Sequence, residues 1–384
     1  MGWKTERFGD VCTFVRGPFG GSLKKNIFKE DGYAVYEQQH AIYDQFTDIR
    51  YFVDEEKFSE MSRFELFSGD LIMSCSGTMG KIAIVPPSIP RGIINQALLK
   101  LTPKNDLSPK FLKLWMESRN FQEQIESLSQ GAAIKNMASV KILKEIRVPT
   151  PPIDEQKHIV TTLDQVFADI EKARATAETN LKNARELFDS YMQQVFRQRG
   201  EGWVEKKFSE CFKLKSGDGL TAKNMVEGPY PVYGGNGIAG THKDFNLSDE
   251  SIIIGRVGAL CGNARYISEK IWLTDNAFKI NDYSFEFDLA FLTYLLNFKK
   301  LRSFARQAAQ PVISNSSLKD LILHFPKCTR IQNKLAIDIQ KIELKVNELE
   351  QIYTQKIKVL DELKKSILQK AFSGELTKSK GIAA

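Results

Sequence analysis

The chain repeats itself, and the repeat includes a defect. Residues 154–196 and 330–372 align without a gap at an offset of 176, so that Gln156 falls on Gln332, Glu186 on Glu362, Leu187 on Leu363 and Phe196 on Phe372. An apolar seam runs through each. In the first it is Ile159, Leu163, Val166, Ile170, Ala173, Ala177, Leu181 and Ala184; in the second, Leu335, Ile339, Ile342, Val346, Leu349, Tyr353, Ile357 and Leu360. Steps of 4 and 3 alternate in both, and a second 4 breaks the alternation at the same place, a shared stutter. The pattern predicts two helices, each roughly 65 Å long at 1.5 Å per residue. A lone amphipathic helix of that length leaves its seam in water and needs a partner. Matched seams favour an antiparallel pair within the chain, with one globular part at each end and an approximate two-fold between them. Pairing with a second copy is the alternative.

The globular parts repeat more loosely. Trp3-Lys4-Thr5-Glu6-Arg7-Phe8 answers to Trp203-Val204-Glu205-Lys206-Lys207-Phe208, and Leu71-Ile72-Met73 with Gly77 and Gly80 answers to Ile252-Ile253-Ile254 with Gly258 and Gly262. Each of the latter reads as a buried strand followed by a glycine-rich turn. Asn95-Gln96-Ala97-Leu98 pairs with Asp275-Asn276-Ala277-Phe278, and Ile134-Lys135-Asn136 with Ile313-Ser314-Asn315. The offset drifts from 200 to 176, so the first part carries extra residues, mostly before Gly69. The expected fold is two mixed α/β (α+β) globular domains, residues 1–152 and 200–328, separated by a long antiparallel two-helix coiled coil. Residues 153–199 and 329–376 form its helices, an internal pseudo-two-fold repeat relates the halves, and residues 377–384 make a flexible tail. Pro149, Pro151 and Pro152 mark the first junction. At the second, Thr329-x-x-Gln332 has the form of a capping box, and Gly200 and Gly374 stand where a left-handed helix stop belongs.

No catalytic constellation is visible. An amino-methyltransferase needs an Asn/Asp-Pro-Pro-aromatic loop, and Thr150-Pro151-Pro152-Ile153 and Val85-Pro86-Pro87-Ser88 lack both the amide or acid and the aromatic. Gly235-Asn236-Gly237-Ile238-Ala239-Gly240 matches G-x-G-x-x-G, but no helical period follows it, which argues against a dinucleotide site. Walker A is absent, and His40, His158, His242 and His324 show no metal spacing. The five cysteines are scattered and odd in number, as free thiols in a reducing cytoplasm would be. No apolar run reaches the roughly 18 residues of a membrane span. A formal charge of +7 is compatible with a polyanionic partner without requiring one.

The order of parts carries a resemblance. A variable unit, Pro151-Pro152-Ile153-Asp154-Glu155-Gln156-Lys157, a long helix, a second variable unit and a second helix ending Gln369-Lys370-Ala371-Phe372-Ser373-Gly374-Glu375-Leu376 together resemble the specificity subunit of type I restriction–modification systems. The likeness covers essentially the whole chain. At the second junction Thr329-Arg330-Ile331-Gln332 keeps the glutamine but has isoleucine in place of the glutamate. The resemblance implies a non-catalytic DNA-binding subunit whose two globular units each read half of a bipartite, asymmetric double-stranded target. It also implies that the helices set the gap and dock two modification subunits, with restriction subunits joining them. Adenine N6 would be methylated with S-adenosylmethionine held by the modification subunit, and this chain would carry no cofactor and no metal. A coiled-coil scaffold that binds only proteins is the competing reading, to be told apart by the charge of the globular faces.

Residue type and neighbourhood suggest the DNA contacts, since phosphates need Lys or Arg and base edges are read by Arg, Lys, Asn, Gln and Ser. In the first unit they are Lys24, Lys25 and Asn26 after Gly20-Gly21, then His40, Ser76 and Lys81; in the second, Lys223, Asn224, Tyr233, Asn236, His242, Lys243 and Arg256. Glycines beside them would let backbone approach a duplex closely. Along the helices, Arg174, Lys182, Arg185, Lys356, Lys358, Lys364 and Lys365 lie beside the seam, as a solvated face or a docking surface.

Overall fold

The computed structural model describes residues 3–19, 21–104, 106–127, 139–198, 200–306 and 311–373. Gly20, Ile134-Lys135-Asn136, Gly374 and the tail 377–384 lie outside them. The chain divides into two compact units, residues 1–177 with 355–384, and residues 178–354.

In the first unit, strands β1 (Thr5–Arg7), β2 (Cys12–Arg16), β3 (Tyr33–Tyr36), β4 (Phe52–Val53), β5 (Leu71–Ser74), β6 (Ile82–Ile84), β7 (Gly92–Ile94), β8 (Leu98–Pro103) and β9 (Arg147–Pro149) form three sheets. Their orders are β1-β9, β2-β8-β5-β6 and β4-β3-β7. Among the described strands only β3 with β7 is parallel, Ala34 opposite Gly92. The helices are α1 (Phe8–Val11), α2 (Gln38–Tyr43), α3 (Glu55–Glu60), α4 (Pro109–Glu117), α5 (Arg119–Ser127), α6 (Val140–Leu143) and the start of the long α7 (Ile153–Phe196), which from residue 178 on belongs to the second unit. Strand β5 shows why the layers form. Its side chains alternate, so Leu71 and Met73 enter one core with Phe8, Phe111, Trp115 and Phe121, while Ile72 enters another with Ala34, Tyr36 and Ile94. Each such buried side chain contributes roughly 1.5–3 kcal/mol of transfer free energy.

The second unit repeats this plan. Strands β10 (Trp203–Lys207), β11 (Lys213–Ser216), β12 (Tyr230–Gly234), β13 (Gly237–His242), β14 (Ser251–Gly255), β15 (Ala264–Ile267), β16 (Trp272–Leu273), β17 (Ala277–Asn281) and β18 (Ile322–Pro326) form sheets β10-β18, β11-β17-β14-β15 and β13-β12-β16. Again, among the described strands, one pair alone, β12 with β16, is parallel. Ile252 and Ile254 face the helical core and Ile253 faces Tyr233, Leu273 and Ala277. Helices α8 (Phe208–Cys211), α9 (Leu289–Phe298), α10 (Asn315–Leu318) and the long α11 (Thr329–Phe372), which from residue 355 on belongs to the first unit, complete it. The extra residues of the first unit are α2, between β3 and β4 where the second turns tightly from β12 into β13, and α3, between β4 and β5.

The seam is buried as its period demands. Within the first unit, Glu171 of α7 meets Lys364 of α11 at 2.8 Å and Arg174 meets Asp361 at 3.2 Å, so the segments run antiparallel. Leu163, Ile170 and Ala177 are buried there, with Val166, Ala173 and Ile357 half-buried. Within the second unit, Arg185 meets Glu350 at 3.0 Å, and Ala184, Ile339 and Val346 are buried beside half-buried Leu181, Ile342 and Leu349. Arg174, Arg185 and Lys364 thus serve as cross-helix ion pairs.

Two local expectations fail. Gln332 does not cap α11, because its amide is committed elsewhere: Oε1 accepts from Asp288 N at 2.9 Å and Nε2 donates to Pro326 O at 2.8 Å. Gln156 does the same in the first unit, accepting from Ser108 N at 2.8 Å and donating to the carbonyls of Asp106 and Pro151 at 2.8 and 2.9 Å. Both glutamines are fully buried and tie the start of a long helix to the N-terminus of α4 or α9. After α7 the left-handed glycine is Gly202 (φ 83°), and Gly200 does not take that conformation.

Candidate nucleic-acid interface

In each unit four chain segments converge at one rim of the sheets. In the first they are the exit of β2, the start of α2, the turn after β5 and the β7–β8 connection. Gly17 N donates to Leu98 O at 2.9 Å, Cys75 N to Ala97 O at 2.9 Å and Asn95 N to Tyr36 O at 2.9 Å. In the second unit Gly217 N donates to Ala277 O at 3.2 Å, Arg256 N to Asn276 O at 2.9 Å and Thr274 N to Tyr233 O at 2.9 Å. Backbone meets backbone so closely that side chains are excluded. A Cβ on Gly17 would fall 1.9 Å from Asn95 O, and one on Gly235 would fall 2.0 Å from Val257 O. Gly17 and Gly235 close the rim on itself, whereas Gly21, near Lys24, has open space where a Cβ would stand. Residues 235–240 are the turn and strand of a hairpin, since β13 follows where a dinucleotide site needs a helix.

The candidate residues divide into two groups. Lys24, Lys25 and Asn26 are exposed on and beside a 3-10 turn (Lys25–Ile27) in the β2–β3 connection. Lys223 and Asn224 are exposed on the matching turn (Ala222–Asn224) of the β11–β12 connection. Lys81 and Lys243 are exposed, Ser76 is half-buried, and Asn236 is exposed while its Oδ1 accepts from Leu260 N at 2.9 Å. Three others are interior residues and leave the set. His40 is fully buried, with Nδ1 accepting from Glu37 N at 2.9 Å and Nε2 bonded to Asp48 O at 3.1 Å. His242 is buried edge-on to Trp272, with Nδ1 accepting from Val226 N at 3.1 Å. Tyr233 packs in the core with Leu247, Ile271 and Leu273. Their residue types suit a reading surface, but each hydrogen bond or packing contact is made inward.

Arg256 stands at the rim as its position after a buried strand suggests. It is half-buried, its guanidinium lies 5.4 Å from the Phe278 ring centroid, and Nη1 donates to Asp275 O at 3.3 Å and to Ser216 Oγ at 3.5 Å. Nε is buried without a partner. The first unit has an arginine there too, one that reading the sequence missed. Arg16, at the exit of β2 opposite Leu99, stands across β8 from Cys75, whose thiol burial pushes up to about 11 against the pull of that guanidinium. The only signal lay in overlaying the repeats, which sets Arg16 on Ser216 and Cys75 on Arg256.

Among the described residues no group of three His, Cys, Asp or Glu side chains could hold a metal ion, and no helix is long and apolar enough to cross a membrane. What the fold offers twice, once in each unit, is a rim of loops on a body of three sheets. Residues 1–179 and 200–359 match the type I restriction modification DNA specificity domain. The chain is 26% identical over 303 residues to the Escherichia coli type I restriction enzyme EcoprrI specificity subunit, covering 73% of each chain. It is 22% identical to the StySPI specificity subunit of Salmonella potsdam, covering 98% of this chain and 89% of that one. The HsdS subunit from Thermoanaerobacter tengcongensis shares the fold with a TM-score of 0.64 at 17% identity, over 97% of both chains. A chain from a solved type I R-M system gives a TM-score of 0.78 at 17% identity, over 97% of this chain and 98% of that one. The chain therefore belongs to the type I restriction–modification DNA specificity family, as a specificity subunit, the non-catalytic component that recognises the DNA target.

Proposed function

We propose that each unit reads one half-site of a bipartite, asymmetric sequence in double-stranded DNA, and that the paired helices set the gap and recruit two modification subunits, joined by restriction subunits, in the cytoplasm. The carrying observation is a rim built on one topology twice but furnished differently, with α2 in the first unit and the β12–β13 hairpin in the second. Equal scaffolds supply equal positioning, and unequal loops supply unequal base contacts. Half-sites about one helical turn apart, roughly 34–36 Å, suit a reader with two similar heads. Recruitment has support on α11, where Ile337 and Leu344, seven residues apart on the side away from the seam, are 43% and 63% exposed. Apolar side chains so spaced on a helix already paired on its other face suit a further helix. In this reading the modification subunit holds S-adenosylmethionine and methylates adenine at N6. Long-read mapping of methylated adenine tests it, with this chain and its modification subunit expressed in a methylation-free host. An asymmetric motif in two parts with a constant gap is expected. A stable complex that leaves DNA unmethylated would favour the protein-scaffold reading.

A further inference from the structure

The two rims differ in almost every side chain, yet each holds one half-buried guanidinium at the same place, delivered from a different strand. In the first unit it comes from the exit of β2 and meets the residue after β5, Arg16 against Cys75. In the second it comes from the residue after β14 and meets the exit of β11, Arg256 against Ser216. The intervening strand is equivalent in both: β8 pairs with β2 and β5, β17 with β11 and β14. Arginine and small partner have changed places across it, Arg/Cys for Ser/Arg, and the charge has been kept.

We infer that Arg16 and Arg256 are equivalent phosphate contacts, one for each half-site, and that neither reads a base. The inference rests on the DNA-reading function proposed above. The two half-sites of an asymmetric target share no base sequence, so a group kept in both rims serves what both share, the sugar–phosphate backbone. Guanidinium chemistry fits that role, being always charged and presenting several donors in a fixed plane. Arg256 is held for it by Phe278 beneath and the Asp275 carbonyl beside it, while it stays half exposed. Base reading falls to the parts that differ, α2 with Ser76 in one unit and the hairpin carrying Asn236 in the other.

The test is DNA binding by this chain in complex with its modification subunits, titrated across salt concentrations with duplexes that carry or lack the target. Arg16→Ala and Arg256→Ala should each weaken binding to both duplexes by the same factor, about tenfold. Each should also lower the slope of log affinity against log salt by about 0.9, the counterion share of one phosphate. A loss confined to target DNA with an unchanged slope would make these arginines base readers and overturn the inference. So would unchanged binding to both duplexes, which would make them struts. Should either alanine variant fail to fold, the exchange Arg16→Ser with Cys75→Arg decides. It rebuilds in the first unit the pairing found in the second and should keep the wild-type slope. A folded exchange variant with a lowered slope would overturn the inference. If the unaltered complex shows no salt-dependent affinity for DNA, the proposed function itself fails, an outcome distinct from all of these.

Discussion

The glutamines that open the two long helices matter more than any other single residues to how the helices meet the bodies. Gln156 sits fully buried with three backbone partners, and Gln332 repeats the arrangement 176 residues on. Removing such a side chain leaves buried donors and acceptors unmet, which costs about 1–3 kcal/mol. Gln156→Ala should therefore lower the unfolding free energy by about 2 kcal/mol in denaturant titration, as should Gln332→Ala. Losses under about 0.5 kcal/mol, the size of an ordinary surface substitution, would remove both from this role. The sequence displayed the matched glutamines plainly, but the Asp106, Ser108 and Asp288 partners lie 44 to 50 residues away in the chain, where no local motif points. His40, Tyr233 and His242 show the converse. Side-chain chemistry is written in the sequence, whereas the direction a side chain faces in an irregular loop depends on packing from distant segments.

Periodic elements were far more legible. A seam of spacing 4 and 3 specifies which stripe of a helix is buried, and every seam residue in both helices is at least half-buried. The flanking charges were ambiguous, because a mixed-charge face reads alike whether solvated or cross-paired. In the first unit Lys364 settles it, reaching Glu171 at 2.8 Å while its amine lies 5.2 Å from the Phe167 ring centroid. That hydrogen bond holds the Glu171 carboxyl below its ordinary value of 4.5. A depressed folded value means the pair stabilises the fold above pH 4.5 and loses that contribution as pH falls through the folded value. A double-mutant cycle of Glu171→Gln and Lys364→Met should give a coupling of about 0.2–1 kcal/mol near neutral pH, as expected of a largely exposed pair. The coupling should vanish in acid. A coupling that persists unchanged in strong acid would mean that packing on Phe167, and no ion pair, joins the two side chains.

For the molecule as a whole, the repeat predicts separable reading. Exchanging residues 1–150 for the first unit of another specificity subunit should change one half of the methylated motif and leave the other half and the gap alone. Mapping methylated adenine in the recombinant strain checks this, and loss of both halves would mean the units do not read independently. The domain plan was legible because the repeat is long. The rim was not, because its pieces come from segments such as Arg16 and Cys75 that only the folded sheet brings together.

The two-stranded sheets have a bearing on how each body is made. In β1-β9, Thr5 pairs with Pro149, and in β10-β18, Trp203 pairs with Pro326. Each body is thus knotted off like a bag by its first and last strands, across 144 residues in one case and 123 in the other. Closing so long a loop is entropically the most demanding step while the intervening chain is still loose, and the least demanding once it has collapsed. The drawstring is therefore expected to tighten late. A tryptophan marks it in each body: Trp203 lies in β10, and Trp3, two residues before β1, donates to Glu155 of α7 at 2.8 Å. In a refolding trace of variants that keep Trp3 alone or Trp203 alone of the four tryptophans, indole fluorescence reports the moment when each bag shuts.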